Sequence, residues 1–295
     1  DPIGSRGLGD VYKRQPFDIY ISSSQNVFEN IALEEFLLTN SKQDILLFYI
    51  NKDAVVIGKH QNPWIEVDLS PFRKFKIIRR LSGGGTVFHD LGNINFSFLR
   101  NKETDFVNFK EHIVPISQSL EQLHIPNLIS ERNDLFVGEY KVSGNAEHVN
   151  SSLKRLLHHG TLLYDSNLVK LNGSIKPKEK LKIKTHAVSS KRSPVSNLRD
   201  FYDWGNTESF LQLIIQKLKT IIDVKSLQEI DPSNITKVKN LIEYKYILDD
   251  WNFNHTPQFS YTGKSGEKYK IRKGKVIESN DSVSYTHLRA HETLL

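Results

Sequence analysis

Arg79-Arg80-Leu81-Ser82-Gly83-Gly84-Gly85-Thr86, followed at once by Val87-Phe88-His89-Asp90-Leu91-Gly92-Asn93, is the stretch on which the reading of this chain turns. Three successive glycines let backbone approach a ligand and aim several N–H groups at one anion. The two arginines before them offer forked donors to phosphate or carboxylate. No Gly-Lys-Ser/Thr closes the run, so it is not a Walker A loop, and it does not follow GxGxxG. A glycine turn with surface arginines would carry the same letters, so both readings stay open on this stretch alone. Asp90 and Asn93 read as turn residues that satisfy local backbone donors. His89 reads either as a ligand contact or as a hydrogen-bonded structural histidine.

Working outward, Pro16–Ser22 alternates apolar and polar residues, a strand signal. Asn26 and Glu29 resemble a capping pair ahead of a helix over 27–40. Ile45–Ile50 and Ala54–Gly58 read as strands joined by an Asn51-Lys52-Asp53 hairpin turn. Lys76–Arg80 and Ile94–Leu99 are further strands. A helix is expected over 105–124, with Pro115 as a possible kink. Leu135–Val137 and Tyr140–Val142 flank a Gly138-Glu139 turn, and Thr161–Tyr164 follows a His158-His159-Gly160 turn. Helices are expected over 207–223 and 232–247, and a strand pair over Lys268–Ile277. Short strands early, long helices late and no βαβ rhythm give an α+β fold with a mixed, largely antiparallel sheet and packed helices.

The 295 residues include 40 Lys+Arg, 34 Asp+Glu, no Cys and no Met. The basic residues are not interleaved with aromatics along one face, which argues against nucleic acid as partner. No apolar run is long enough to span a bilayer, so no membrane association is expected. Absent cysteine excludes disulfides, thiolate metal sites and a cysteine nucleophile. Ser5–Gln15 (SRGLGDVYKRQ) and Val283–Thr293 (VSYTHLRAHET) read as the two strands of one sequencing adapter, translated at either end. Residues 1–15 and 283–295 are therefore expected not to be native protein.

Beyond the glycine run, Lys141 stands beside small residues in Tyr140-Lys141-Val142-Ser143-Gly144-Asn145-Ala146. A lysine there offers a compact positive charge to a phosphate or an acyl carbonyl. Surface solvation is the plain alternative for any single lysine. Adjacent imidazoles on extended backbone face opposite ways, so His158 and His159 are poor co-ligands, and no resident metal site is expected.

Taken in order, these blocks resemble the lipoate–protein ligase family: Asn30-Ile31-Ala32-Leu33-Glu34-Glu35, Gln61-Asn62-Pro63, the Arg79–Asn93 stretch, Arg132-Asn133-Asp134, Lys141–Ala146, His158–Leu163, Ser193–Leu198 and Trp251–Phe259. The resemblance covers nearly all of 16–282. It implies a catalytic domain over 16–245, with a sheet shared with biotin ligases, and the incomplete start of a small accessory domain over 246–282. It implies ATP with Mg2+, lipoate or octanoate as substrate, and a lipoyl-AMP intermediate. The acceptor would be a lysine on lipoyl domains of 2-oxoacid dehydrogenase subunits or on glycine cleavage H protein. A cytoplasmic monomer is expected. By carry-over, Arg80, Gly85, Thr86, Val87 and Phe88 bind the adenylate, Gly83, Gly84 and His89 bind lipoate, and Lys141 meets both. Lys141 is given the catalytic role of charge stabilisation and positioning. Asn254 stands where the family usually has Gly, and a left-handed turn is expected to survive there.

Related transferases with this fold pass the acyl group through a cysteine thioester. Residues 16–282 have no thiol, which leaves the ATP-driven chemistry. An ATP-independent acyltransferase and a non-catalytic module holding lipoyl domains are the competing expectations.

Overall fold

The computed structural model describes residues 15–70, 74–101, 109–177, 181–263 and 266–280. The adapter-like stretches, apart from Gln15, lie outside the described residues, as does the start of the helix expected over 105–124. The strands in chain order are β1 (Phe17–Ser22), β2 (Ile45–Ile50), β3 (Ala54–Ile57), β4 (Lys76–Arg79), β5 (Val87–His89), β6 (Asn93–Asn101), β7 (Leu128–Ile129) and β8 (Leu135–Val137). They continue with β9 (Tyr140–Ser143), β10 (Asn145–Asn150), β11 (Arg155–Leu163), β12 (Lys182–Thr185), β13 (Val224–Ile230), β14 (Phe259–Thr262), β15 (Lys268–Arg272) and β16 (Lys275–Ser279). The helices are α1 (Val27–Asn40), α2 (Pro63–Glu66), α3 (Phe109–Glu121), α4 (Leu168–Ser174), α5 (Thr207–Leu218) and α6 (Thr236–Leu241).

The main sheet has six strands in the order β10-β11-β6-β2-β1-β13. Its first four strands are antiparallel, while β2 and β13 both run parallel to β1. The fold is α+β and the sheet mixed, as the sequence indicates. The parallel pair β1–β2, joined through α1, is a β-α-β unit that the sequence reading did not expect.

β2 shows why its run Ile45-Leu46-Leu47-Phe48-Tyr49-Ile50 has no polar alternation. Leu46, Phe48 and Ile50 pack into one core with α3 and α5. Ile45, Leu47 and Tyr49 pack into another with α1 and α6. A strand covered on both faces reads as continuously apolar.

β2 and β3 do not form the expected hairpin. β3 belongs to a separate three-stranded sheet, β4-β3-β5, parallel to β4 and antiparallel to β5. The Asn51-Lys52-Asp53 corner passes the chain from one layer to the next. A third core joins this small sheet to the C-terminal strands, with Val55, Ile57 and Trp64 against Phe253, Phe259 and Ile271. β14 also pairs with β12. Described residues after 246 thus share a core and a sheet with earlier segments. The His158-His159-Gly160 turn is not a turn either: all three lie inside β11. The helix expected over 207–223 stops at Leu218, and the chain returns as β13. Asn254 ends a π-helical turn without a positive φ, so the expected left-handed conformation is not adopted. Among the described residues no helix is long and apolar enough to cross a membrane.

Arg79 ties the layers together. It is fully buried. Its guanidinium donates to the carbonyl oxygens of Gly58, Lys59 and Gln61 on one side at 2.9–3.1 Å. On the other side it donates to those of Trp251 and Asn252 and to Thr256 Oγ1. Its own backbone is held by Asn252 Oδ1 and by Trp251 Nε1–H. Burial lowers the guanidinium to a pKa of about 10, which leaves it charged at neutral pH. Arg79→Met should cost more than about 3 kcal/mol in a urea unfolding series, because it strands several buried acceptors at once. A loss under about 1 kcal/mol would show that the clamp is dispensable.

Candidate active site

The glycine loop leaves β4 at Arg79 and enters β5 at Val87. Arg80 lies beneath it, almost fully buried. It donates to Ser82 Oγ (2.8 Å), Val56 O (3.2 Å), Gly83 O (2.5 Å) and Gly85 O (2.8 Å). One guanidinium therefore draws in the carbonyls of two loop glycines. Burial lowers its pKa to about 10, with Glu34 opposing the shift. Gly84 has φ +82°, and its carbonyl would sit only 2.1 Å from a Cβ on Gly58. Both positions need glycine, one for conformation and one for close approach.

The loop roofs a cavity of about 250 Å3. Gly84, Gly85, Thr86 and Val87 form one wall, with Arg132, Asp134 and Lys141 beside them. Ile31, Tyr49, Val56 and His159 also line it. A second cavity, of about 130 Å3, shares Thr86, Val87, Lys141 and Gly144. Phe88, Leu163, Leu171, Ile175 and Val195 make it mainly apolar, with Asn172 and Arg192 as polar groups. Lys141 thus stands where the two cavities meet. Its Nζ lies 2.9 Å from Asp134 Oδ1. A Cβ on Gly144 would approach that Nζ to 3.1 Å, so the small residue beside it leaves the ammonium room. The β8–β9 turn at Gly138, φ +56°, and the bond from Lys141 N–H to Pro194 O fix the backbone.

A buried polar chain backs the first cavity. Ser82 Oγ accepts from Arg80 and stands 2.6 Å from His159 Nε2. The Ser82 hydroxyl is then placed to donate to His159 Nε2, which leaves Nδ1–H to face Glu34 at 3.2 Å. Glu34 also accepts from Tyr49 OH at 2.9 Å and from Ser97 Oγ. Burial by itself would raise the Glu34 pKa. His159 and the two hydroxyls outweigh it, so the carboxyl sits below its ordinary value. The same burial, and the Glu34 charge, push Tyr49 well above the usual phenol range. His89 takes a hydrogen bond at Nδ1 from Asn51 Nδ2 (2.9 Å), and Asn51 Oδ1 accepts from Asn30 Nδ2 (2.7 Å). Burial, with Arg80 and His159 nearby, lowers His89 to about 3.

Of the residues singled out from sequence, Arg80, Gly84, Gly85, Thr86, Val87, His89 and Lys141 meet on the first cavity. Phe88 lines only the second. Gly83 lines neither, and its carbonyl serves Arg80. Arg80 is thus placed chiefly to hold the loop. Asp90 makes its turn, accepting from Gly92 N, and also takes Ser166 Oγ and Asn167 N at the start of α4. His158 and His159 do point to opposite faces and serve structural bonds. Ser190 was missed: its Oγ accepts from Thr86 N (2.9 Å) and Gln61 Nε2 (3.0 Å). The Ser189-Ser190-Lys191-Arg192 run, small donors beside two cations, was its available signal.

A family model described as the lipoyl protein ligase A/B catalytic domain matches residues 26–219. The chain belongs to that family. Among lipoyl protein ligases, LplJ of Bacillus subtilis is 34% identical over 262 residues, covering 84% of this chain and 78% of that protein. Lipoate–protein ligase 1 of Staphylococcus aureus is 33% identical with the same coverage. The fold is shared with Plasmodium falciparum LipL1, solved in complex with lipoate, at a TM-score of 0.68 and 24% identity, covering 90% of this chain and 84% of that one. A lipoate–protein ligase A bound with ATP gives a TM-score of 0.66 at 23% identity, covering 80% and 98%.

The His89 shift has a definite sign. The folded state binds its proton only near pH 3, the unfolded chain near 6.5. The stability from this neutral imidazole is complete above pH 6.5 and is lost as pH falls toward 3. Unfolding free energy should drop below pH 6.5 by up to about 1.4 kcal/mol per pH unit from this group. His89→Asn should flatten that slope in pH-resolved urea titrations; an unchanged slope would rule the group out.

Proposed function

We propose that this lipoyl protein ligase uses ATP to join lipoate, or octanoate, to a lysine of a lipoyl-domain acceptor through a lipoyl-AMP intermediate. The observation that carries the reading is the Lys141 ammonium at the seam of two cavities, beside the glycine loop. The acyl chain enters the first cavity, toward Ile31, Val56 and His159, and the nucleoside lies against Val87 and Phe88 in the second. A lipoate carboxylate oxygen attacks the α-phosphorus, and pyrophosphate leaves. Lys141 neutralises charge shared by the carboxylate and the α-phosphate, and the loop backbone offers N–H donors to the same oxygens. An acceptor amine then attacks the acyl carbonyl of the mixed anhydride, losing a proton as AMP leaves. No thiol is needed, and residues 16–282 contain none.

Magnesium would accompany the triphosphate as a counter-ion. Asp134, the carboxylate facing Lys141, fits the usual arrangement of one carboxylate plus phosphate oxygens. Support for the substrates comes from solved relatives bound to lipoate or to ATP. Support for the acceptor comes from the Thermoplasma acidophilum bi-partite lipoate protein ligase and its E2 lipoyl domain. Glycine cleavage H protein is a second acceptor of the same chemistry, and the cytoplasm is the proposed compartment.

Lipoate-dependent exchange of pyrophosphate into ATP tests the first half-reaction. Lys141→Ala should lower it by at least about 100-fold, the scale of removing one transition-state donor, with the unfolding midpoint nearly unchanged. Wild-type exchange in that variant would remove Lys141 from the mechanism. Acyl transfer from a carrier thioester without ATP would overturn the reaction class.

A further inference from the structure

On the face of β11 opposite the cavity-lining His159 lies a second group of titratable side chains. His112 comes from α3, Glu147 from β10 and His158 from β11, where Glu147 and His158 are direct cross-strand partners. One ligand atom from each lies within 4.8 Å of the other two. We propose that His112, Glu147 and His158 form a binding site for a divalent transition-metal ion, Zn2+ by its donor chemistry, which pins α3 to the sheet.

Three observations carry this. First, both ring nitrogens of His112 and Glu147 Oε2 are buried without a hydrogen-bond partner. Buried polar groups left unpaired are costly. A cation answers the Glu147 oxygen and one His112 nitrogen together, while the other ring nitrogen keeps its proton.

Second, the tautomer of His158 is set from behind. Asn145 Nδ2 donates to Asn133 O (2.8 Å) and Ser143 Oγ (3.2 Å), which turns Asn145 Oδ1 toward His158 Nε2 at 3.3 Å. His158 Nδ1 and Glu147 Oε1 share a hydrogen bond at 2.9 Å. With Nε2–H turned to Oδ1, Nδ1 is the nitrogen placed to exchange that bond for a cation. This is also how metal-bound histidines are oriented, by a hydrogen bond on the far ring nitrogen.

Third, the spacing and surroundings suit an ion. His112 Nδ1 stands 3.4 Å from Glu147 Oε1. Ligands bound at 2.0–2.2 Å in a tetrahedron stand about 3.3 Å apart. Phe96 and Phe98 pack against the two imidazoles, so water is largely excluded and a lone carboxylate there lacks solvent screening. Two histidines and one glutamate are a zinc donor set with a position left over. The carboxylate and imidazoles come from three elements, so no spacing along the chain betrays the site.

The test is metal binding by the intact chain, which does not depend on ligase activity. Chelator-treated protein is titrated with CoCl2 and then with ZnCl2. One cobalt per chain with a low-coordination visible band, displaced by zinc, is the expected result. Zinc should also raise the thermal midpoint. Among the eleven histidines, only the His112 and His158 imidazole signals should shift in proton–nitrogen NMR spectra on adding zinc. His112→Phe keeps the aromatic packing and Glu147→Gln keeps the shape; each should weaken binding at least about 100-fold. Absence of the stoichiometric cobalt band, shifts confined to other histidines, or unchanged binding in a folded Glu147→Gln protein would overturn the proposal. If neither variant folds, the wild-type band and NMR shifts decide it.

Discussion

The guanidinium of Arg79 is the interaction on which the rest of the site depends. Among the described residues it has no carboxylate partner and works instead as a hub for backbone carbonyls from two distant segments. A buried cation is expensive to desolvate, and several charge-assisted bonds are what make it tolerable. Because Gly58 sits on that hub, and Gly84 lies against Gly58, the shape of the glycine loop is inherited from the clamp. Arg80, one residue on, fixes the other side of the same loop. The two adjacent arginines thus divide the labour: one joins layers, the other moulds a turn.

Behind the loop, α1 brings polar side chains into the interior. Asn30 bridges Ser22, Ser24 O and Asn51, and Glu34 gathers Tyr49, Ser97 and His159. A core network whose members are satisfied specifies one packing of a helix on a sheet. Here it also orients His89 and His159, two cavity-lining rings. Burial keeps the His89 ring neutral at neutral pH.

The glycine loop, Lys141 and the opposed faces of His158 and His159 were legible because each rests on local chemistry or on strand alternation. The errors came from tertiary context. Gly160 reads as a turn breaker, yet in β11 it leaves space that Asn145 Oδ1 and Phe96 fill, 2.2–2.3 Å from where a Cβ would stand. Asn51-Lys52-Asp53 has hairpin chemistry but joins strands of different sheets, which apolar runs on both sides do not reveal. Val224–Ile230 carries four polar or charged residues and is half-exposed, so it lacks a strand signal, and the apolar stripe of the preceding helix runs on to Ile221, past its end at Leu218. Ser190 acts across 104 residues on Thr86, beyond any local pattern.

The β1–β13 ladder joins Phe17 to Val224, and the Arg79 clamp closes only on Trp251–Thr256. During synthesis the first strand must therefore wait for most of the chain before its second edge is covered. Contacts of such long sequence separation form late and slowly. A nascent chain that has released the glycine loop but not residue 256 holds the loop's sequence without its shape. Binding competence is thus a property acquired near the end of translation, and an unfinished polypeptide would carry an exposed parallel edge in place of a site.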